Sequence, residues 1–410
     1  MGATSARAEV PGRRVLHVTS NYPRWPGDST TPFVHDLAVG LVERGWDITV
    51  VAPHFPGAAG SEVMDGVRVH RFRYLLPESA QTLCYGGGAL ANLRSSRTAK
   101  FKLPALVAAQ WASLVGRLGR RTDLVHAHWV LPQGFVASAR ISRVPRLLTA
   151  HGSDVMSLRG RLLDGFSRFA VRHADALTVG SSATLRAVAS LGADADKVAL
   201  IPFGVDLRRQ PDDALVDRVR SSLVPDGGPL LVFLGRLVEE KGIFDAIEAT
   251  AIVHSSMPSL RLAVVGAGQD EGRARDLARQ LGVEHCTMFA GWAQPAEVPS
   301  WLAAADVVLA PSWREGQGIV ILEAMAQARP VVATRTGGVL DAIQDGVTGR
   351  LTEPGRPNEV AGAIRDLVAN PDHARAMGER ASQVVRNRFD WCQTLDAFED
   401  LYLRMIRNHQ

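Results

Sequence analysis

Short runs of apolar and β-branched residues alternate with helix-length segments along the whole chain, and this period constrains the fold more than any single residue. Strand-sized runs fall at 15–20, 47–53, 67–73, 124–130, 146–151, 176–180 and 198–202, and again at 230–235, 261–266, 286–291, 307–310 and 331–334. Strands separated by helices pair in parallel, because each crossover helix needs a sheet face to cover. Two such sets in 410 residues, 46% of them hydrophobic, predict an α/β protein with two doubly wound Rossmann-like domains. Open sheets of this kind bind ligands beyond the carboxyl ends of their strands. Functional residues are therefore sought there.

The richest stretch is Pro311-Ser-Trp-Arg-Glu-Gly-Gln-Gly-Ile-Val-Ile-Leu-Glu-Ala-Met-Ala326. A buried strand precedes it, and residues 319–328 read as a helix that Arg329-Pro330 stops. Glu315 then lies in the loop at the helix mouth, and Glu323 lies inside the helix. Gly316 and Gly318 leave backbone N–H groups bare at a helix N-terminus, which is an anion site. A carboxylate beside an anion site fits a ligand that carries hydroxyls next to its phosphates, such as a nucleotide sugar. Earlier, Phe233-Leu-Gly-Arg-Leu-Val-Glu-Glu-Lys-Gly242 leaves a strand at Gly235 and places Arg236 and Lys241 in the following loop. A guanidinium fork and a compact ammonium can together neutralise a departing diphosphate.

The Glu-x7-Glu spacing with its glycine-rich opening resembles the retaining GT-B glycosyltransferases of family 4, from about Val15 to the C-terminus. The resemblance implies an acceptor-binding domain at 1–204, a donor-binding domain at 205–390 facing it across a cleft, and a helix at 391–410 crossing back to the first. It assigns Glu315 to the donor sugar, Glu323 to the nucleotide ribose, and Arg236 and Lys241 to the diphosphate, aided by N–H groups near Gly318 and Ile319. His151, in His151-Gly-Ser-Asp154, matches a histidine that faces the donor sugar; Asp154 either binds acceptor or caps the next segment. The implied reaction moves a hexose from a UDP- or GDP-sugar to a hydroxyl of a glycan, lipid-linked or small-molecule acceptor, with retention and with no metal or other cofactor. The alternative is a GT-B nucleotide-sugar 2-epimerase, which does not explain Glu-x7-Glu.

Three departures from the family pattern stand out. Gln317 replaces a more usual aromatic or apolar residue beside the donor sugar, and Phe203 precedes Gly204 at the domain junction where Asn is common. Gly27 stands alone where relatives carry a Gly-Gly turn near donor phosphate. Other motifs carry less. Gly266-Ala-Gly268 lacks the third glycine of a dinucleotide fingerprint, since Glu271 occupies it. Asp194-Ala-Asp196 reads as surface, and His126 and His128 as same-side strand residues that pack.

Residues 1–204 hold 24 Lys+Arg against 14 Asp+Glu, and the remainder 22 against 28. A basic first half suits anionic lipid or a phosphorylated acceptor. Nucleic acid is not expected, because no zinc-finger, helix-turn-helix or RNP pattern accompanies the charge. Residues 93–121, basic and then amphipathic with Trp111, suit either a membrane surface or an ordinary sheet-covering helix. The scattered Cys84, Cys286 and Cys392, the lack of an apolar leader, and Ala6 breaking the myristoylation pattern predict a cytoplasmic protein, with peripheral contact at the inner face of the membrane as an option.

Overall fold

A computed structural model describes residues 12–28, 30–85, 89, 92, 97–118, 122–139, 144–156 and 160–409. The chain divides into two compact units: Met1–Ile201 with Leu395–Gln410, and Pro202–Thr394.

The first unit holds β1 (Arg14–Val18), β2 (Asp47–Pro53), β3 (Ser61–Met64), β4 (Val67–Phe72), β5 (Leu124–His128), β6 (Arg146–Ala150), β7 (Ala176–Val179) and β8 (Val198–Leu200). They form one sheet in the order β3-β4-β2-β1-β5-β6-β7-β8. All neighbours are parallel except β3 and β4, joined by a tight turn whose Asp65 and Gly66 have φ of 49° and 81°. Sequence reading passed over β3 because it is short and mostly solvent-facing. Strands β5, β6 and β7 are buried at every position, as expected for a sheet covered on both faces. From β1 the chain winds to β2 and β4 on one side, then returns to β5 and beyond on the other. The topological switch thus lies between β1 and β5.

The last helix, Trp391–Arg407, belongs to this unit from Leu395 onward. Gly40, on the helix Pro32–Glu43, leaves room for it: a Cβ there would stand 2.7 Å from Leu395 Cδ2. Arg44 pairs with Glu399 (3.0 Å), and the Trp46 indole N–H donates to the same carboxylate (3.2 Å). Phe398 and Tyr402 are fully buried.

The second unit holds β9 (Leu230–Leu234), β10 (Arg261–Val265), β11 (Thr287–Gly291), β12 (Val307–Ala310), β13 (Val331–Thr334) and β14 (Arg350–Thr352). The order is β11-β10-β9-β12-β13-β14, with every neighbouring pair parallel, so its switch point lies between β9 and β12. One apolar core lies around Leu231, Ile247 and Ile364, another around Val232, Leu322 and Met325. Both faces are therefore dry. Where the chain enters this unit it runs beside where it leaves: Val205 bridges Asp390, and the Thr394 hydroxyl donates to Pro202 O (2.8 Å) while accepting from Gly204 N (2.9 Å). A Cβ on Gly204 would lie 2.6 Å from Phe389 O, which is why glycine stands there.

Candidate functional site

In the second unit, the loops after β9, β12 and β13 meet at the switch point, and glycines let them meet. Gly242 has φ 73°, and a Cβ on it would lie 2.0 Å from Pro311 O. The loop after β12 is further fixed by Trp313, whose N–H donates to Glu240 O (2.9 Å) and whose indole donates to the Asp245 carboxylate (2.6 Å). Within this frame Lys241 Nζ donates to Glu315 Oε2 at 2.6 Å. From the other side Gly337, at φ 54°, passes so close that a Cβ would sit 1.7 Å from Glu315 O. No other residue fits, and sequence reading missed it. Arg236 is exposed after Gly235 (φ 155°). Gly266 and Gly268 serve packing, since Cβ atoms there would strike Gly235 O (1.9 Å) and Leu237 O (2.2 Å).

Gly318 adopts a left-handed conformation (φ 87°, ψ 58°) as the N-cap of the helix Ile319–Ala326. Its carbonyl accepts from Ile321 N (3.0 Å) and Leu322 N (3.2 Å), while the first-turn N–H groups at Ile319 and Val320 precede the helix's own ladder. Glu323 lies one turn in, part-buried. Gln317 departs from expectation. Its amide accepts from Phe203 N (2.9 Å) and donates to Phe203 O, so the side chain clamps the junction backbone. An amide suits this because it offers the acceptor and donor that one residue's N–H and C=O require.

In the first unit, the loop after β1 is closed by Arg24, which grips Asp28 through Nε (2.7 Å) and lies over Trp25 and Phe55. Buried Arg71 ties it down by donating to Pro23 O (2.6 Å). Gly27 is the exposed tip, at φ 81° with nothing within 4 Å of a Cβ. His151 follows β6. Asp154 is buried and turned inward, accepting from Val130 N (2.7 Å) and His151 N (3.1 Å). Burial pushes its carboxyl up to about 6 despite these backbone bonds. These two bonds run back to the backbone of Val130 and His151 and not forward along Ser153–Met156, so they do not cap the segment that follows. They secure Trp129, a non-glycine residue at φ 72° whose ring lies 4.7 Å from that of His151.

His126 and His128 do share one side of β5, and they meet two partners that sequence reading missed. His17, paired with His126 in the strand register, lies beside them, and Tyr402 reaches in from the last helix. Burial pushes His17 and His151 down to about 3, and His126 and His128 well below the ordinary range. The His17, His126 and His128 nitrogens lie within 4.8 Å of one another, as do ligand atoms of His254, His285 and Cys286. In the first group, hydrogen bonds within the cluster and to Tyr402, Thr149 and His151 occupy the nitrogens. Asp194 caps the turn Ala195–Lys197, accepting from Asp196 N (3.2 Å) at the surface.

Two doubly wound domains, each with its polar residues gathered at the switch point, define the GT-B class, and comparison with known proteins agrees. Residues 217–384 match the family model for glycosyl transferases group 1, and residues 30–204 match that for a glycosyl transferase 4-like domain. D-inositol 3-phosphate glycosyltransferase of Kineococcus radiotolerans is 30% identical over 92% of this chain and 90% of its own. Glycogen synthase of Mycobacterium tuberculosis is 28% identical over 97% and 96%. Among solved structures, Anabaena HepE in complex with UDP-glucose superposes with a TM-score of 0.74 at 20% identity, over 96% of this chain and 99% of that one. The chain belongs to the glycosyl transferases group 1, family 4-like, and is a glycosyltransferase of the GT-B fold.

Proposed function

We propose that this glycosyltransferase moves a hexose, with retention, from a nucleoside diphosphate sugar to an acceptor hydroxyl, and that no metal takes part. The observation that carries the reading is the Lys241–Glu315 contact at the β9/β12 switch point, beside exposed Arg236 and the first turn of the helix Ile319–Ala326. Departure of a diphosphate needs positive charge held in place beforehand, and Arg236 and Lys241 supply it. The bare N–H groups of the helix mouth add to it. Glu315 then holds the sugar hydroxyls, Glu323 holds the ribose, and His151 hydrogen-bonds the transferred sugar, whose transition state is oxocarbenium-like. HepE was solved with UDP-glucose, which favours a UDP-linked donor here. The two curated relatives and the basic first half favour a glycan or a phosphorylated small molecule as acceptor. Neither family match favours the isomerase reading.

The helix Arg97–Leu118 supports a peripheral membrane contact. Phe101 and Trp111 are exposed (84% and 46%), and exposed Pro104, Ala108 and Ala112 complete an apolar outer stripe. Among the described residues no helix is long and apolar enough to cross a membrane. Co-sedimentation with anionic vesicles that survives Phe101→Ser and Trp111→Ser together would end this part of the proposal.

The deciding experiment is a donor panel of UDP- and GDP-hexoses, with and without EDTA, scored by thermal shift and slow hydrolysis and repeated with Glu323→Ala. Stabilisation by one nucleotide class, unaffected by EDTA and weakened in the variant, is expected. Loss of activity in EDTA would overturn the metal-free mechanism. No response to any donor would overturn the donor site.

A further inference from the structure

Seven buried or part-buried side chains of the first unit form an unbroken hydrogen-bonded line. Thr178 meets Thr149, and Thr149 meets His126 Nε2 (2.6 Å). His126 Nδ1 meets the Tyr402 hydroxyl (2.6 Å), which meets His17 Nε2 (3.1 Å). His17 Nδ1 meets His128 Nε2 (3.2 Å), and His128 Nδ1 meets His151 Nε2 (3.2 Å). A neutral imidazole donates from one nitrogen and accepts at the other, and a hydroxyl donates once. A hydroxyl that accepted from both neighbours would leave its own proton without an acceptor in a dry core, so the line has two orders: every proton points towards His151, or every proton points away.

The far end decides between them. Thr178 is fully buried, and among the described residues its hydroxyl has Thr149 as its one hydrogen-bond partner. Were Thr149 to donate, the Thr178 proton would have no acceptor in a dry core, a cost of about 1–3 kcal/mol. Thr178 therefore donates to Thr149, and Thr149 donates to His126 Nε2. His126 then carries its proton on Nδ1 and gives it to Tyr402, which donates to His17 Nε2. His17 Nδ1–H donates to His128 Nε2, and His128 Nδ1–H donates to His151 Nε2.

We propose that this relay fixes His151 as the neutral Nδ1–H tautomer with Nε2 occupied, and that Tyr402, on the last helix, is the positioning residue that completes it. A proton added at His151 Nε2 would face the His128 Nδ1–H, two donors in opposition, unless the whole line reversed. The relay thus withholds His151 from general-base use through Nε2 and leaves it a neutral donor at Nδ1. Burial, which pushes the His151 imidazole down to about 3, acts in the same direction. The catalytic consequence rests on the role proposed above for His151; the tautomer does not.

The test is long-range 1H–15N correlation on protein labelled at histidine, which reads each ring's tautomer directly. The wild type is expected to show His151 protonated at Nδ1. Tyr402→Phe keeps the ring and removes the bridge, so His17, His128 and His151 are expected to become tautomeric mixtures. Donor hydrolysis should fall about tenfold in kcat, with KM held within about twofold. Thr149→Val should also release the tautomers, while Thr149→Ser should restore them, a contrast that packing alone does not produce. Nε2–H or imidazolium at His151 in the wild type would overturn the proposal. So would an unchanged Nδ1–H in both Tyr402→Phe and Thr149→Val. If the tautomers follow the relay but His151→Ala leaves turnover untouched, the relay stands and the role of His151 falls.

Discussion

The two units wind their sheets alike, yet furnish their switch points with opposite chemistry. Between β9 and β12 the residues are charged and in part exposed: Arg236, and Lys241 against Glu315, held by loops that glycines let touch. Between β1 and β5 the residues are buried and neutral: His17, His126 and His128, joined by Tyr402. The difference teaches what each end is built to resist. A charged pair near water costs little to form and can exchange partners with an arriving diphosphate. A buried polar network is stable only when every member is satisfied. It therefore holds one geometry and does not tolerate protons.

That contrast is sharpest under acid. The four imidazoles are held below the unfolded value near 6.5, with His17 and His151 at about 3, so between these limits the unfolded chain binds protons that the folded unit refuses. Their contribution is fully present above about pH 6.5 and is lost as pH falls, by up to about 5 kcal/mol per pH unit for four sites. Asp154 acts oppositely. Raised to about 6, it stays protonated in the folded unit after the unfolded chain has ionised, so its effect weakens the fold as pH rises through about 4 to 6. One proton against four leaves the histidines in control. Urea unfolding at pH 7 and pH 5, followed by a probe in each unit, should show the first unit losing most of its stability while the second changes little. Equal losses would break the comparison.

Next in size is the charged end. Lys241→Met should lower turnover by about 10²- to 10³-fold, the usual cost of removing one preorganised charge from a transition state. Its melting temperature should stay near the wild-type value, because the pair is partly open to water. A wild-type rate with a lowered melting temperature would make the pair structural. Somewhat smaller is Gly337→Ala. A Cβ 1.7 Å from Glu315 O, at φ 54°, forces the β13 loop away and should cost the second unit about 3 kcal/mol in urea. The first unit should be unaffected.

How much of this was readable in the chain differs between the two ends. The parallel α/β architecture follows from the strand–helix period, and twelve runs did become strands, usually ending one or two residues early because terminal residues turn into the loops. Ser61–Met64 and Arg350–Thr352 are too short and too polar to carry a strand signal. At the charged end, Glu315 and Lys241 stand in motifs whose spacing survives folding. At the neutral end the partners come from positions 17, 126, 128, 151 and 402, and no local spacing announces Tyr402. A buried histidine on β1 opposite one on β5 was the available clue. Without the strand order it pointed nowhere.

The smallest expected effect concerns two departures from the family pattern that proved to be one. Gln317 and Phe203 lie 114 residues apart, yet the Gln317 amide satisfies both the N–H and the C=O of Phe203. In Gln317→Leu both backbone groups lose their partner at a part-buried site, and a cost of about 1–2 kcal/mol is expected in the second unit. Gln317→Glu keeps the acceptor for Phe203 N–H but sets a carboxylate against its C=O, so it should be at least as costly at neutral pH and should recover on acidification. Donor affinity separates this account from the one that the position suggested. A clamp on the junction predicts lower stability with the affinity for a nucleotide sugar within about threefold of wild type, because the amide is already engaged. A large loss of affinity at unchanged stability would return Gln317 to the donor and leave the contact with Phe203 incidental.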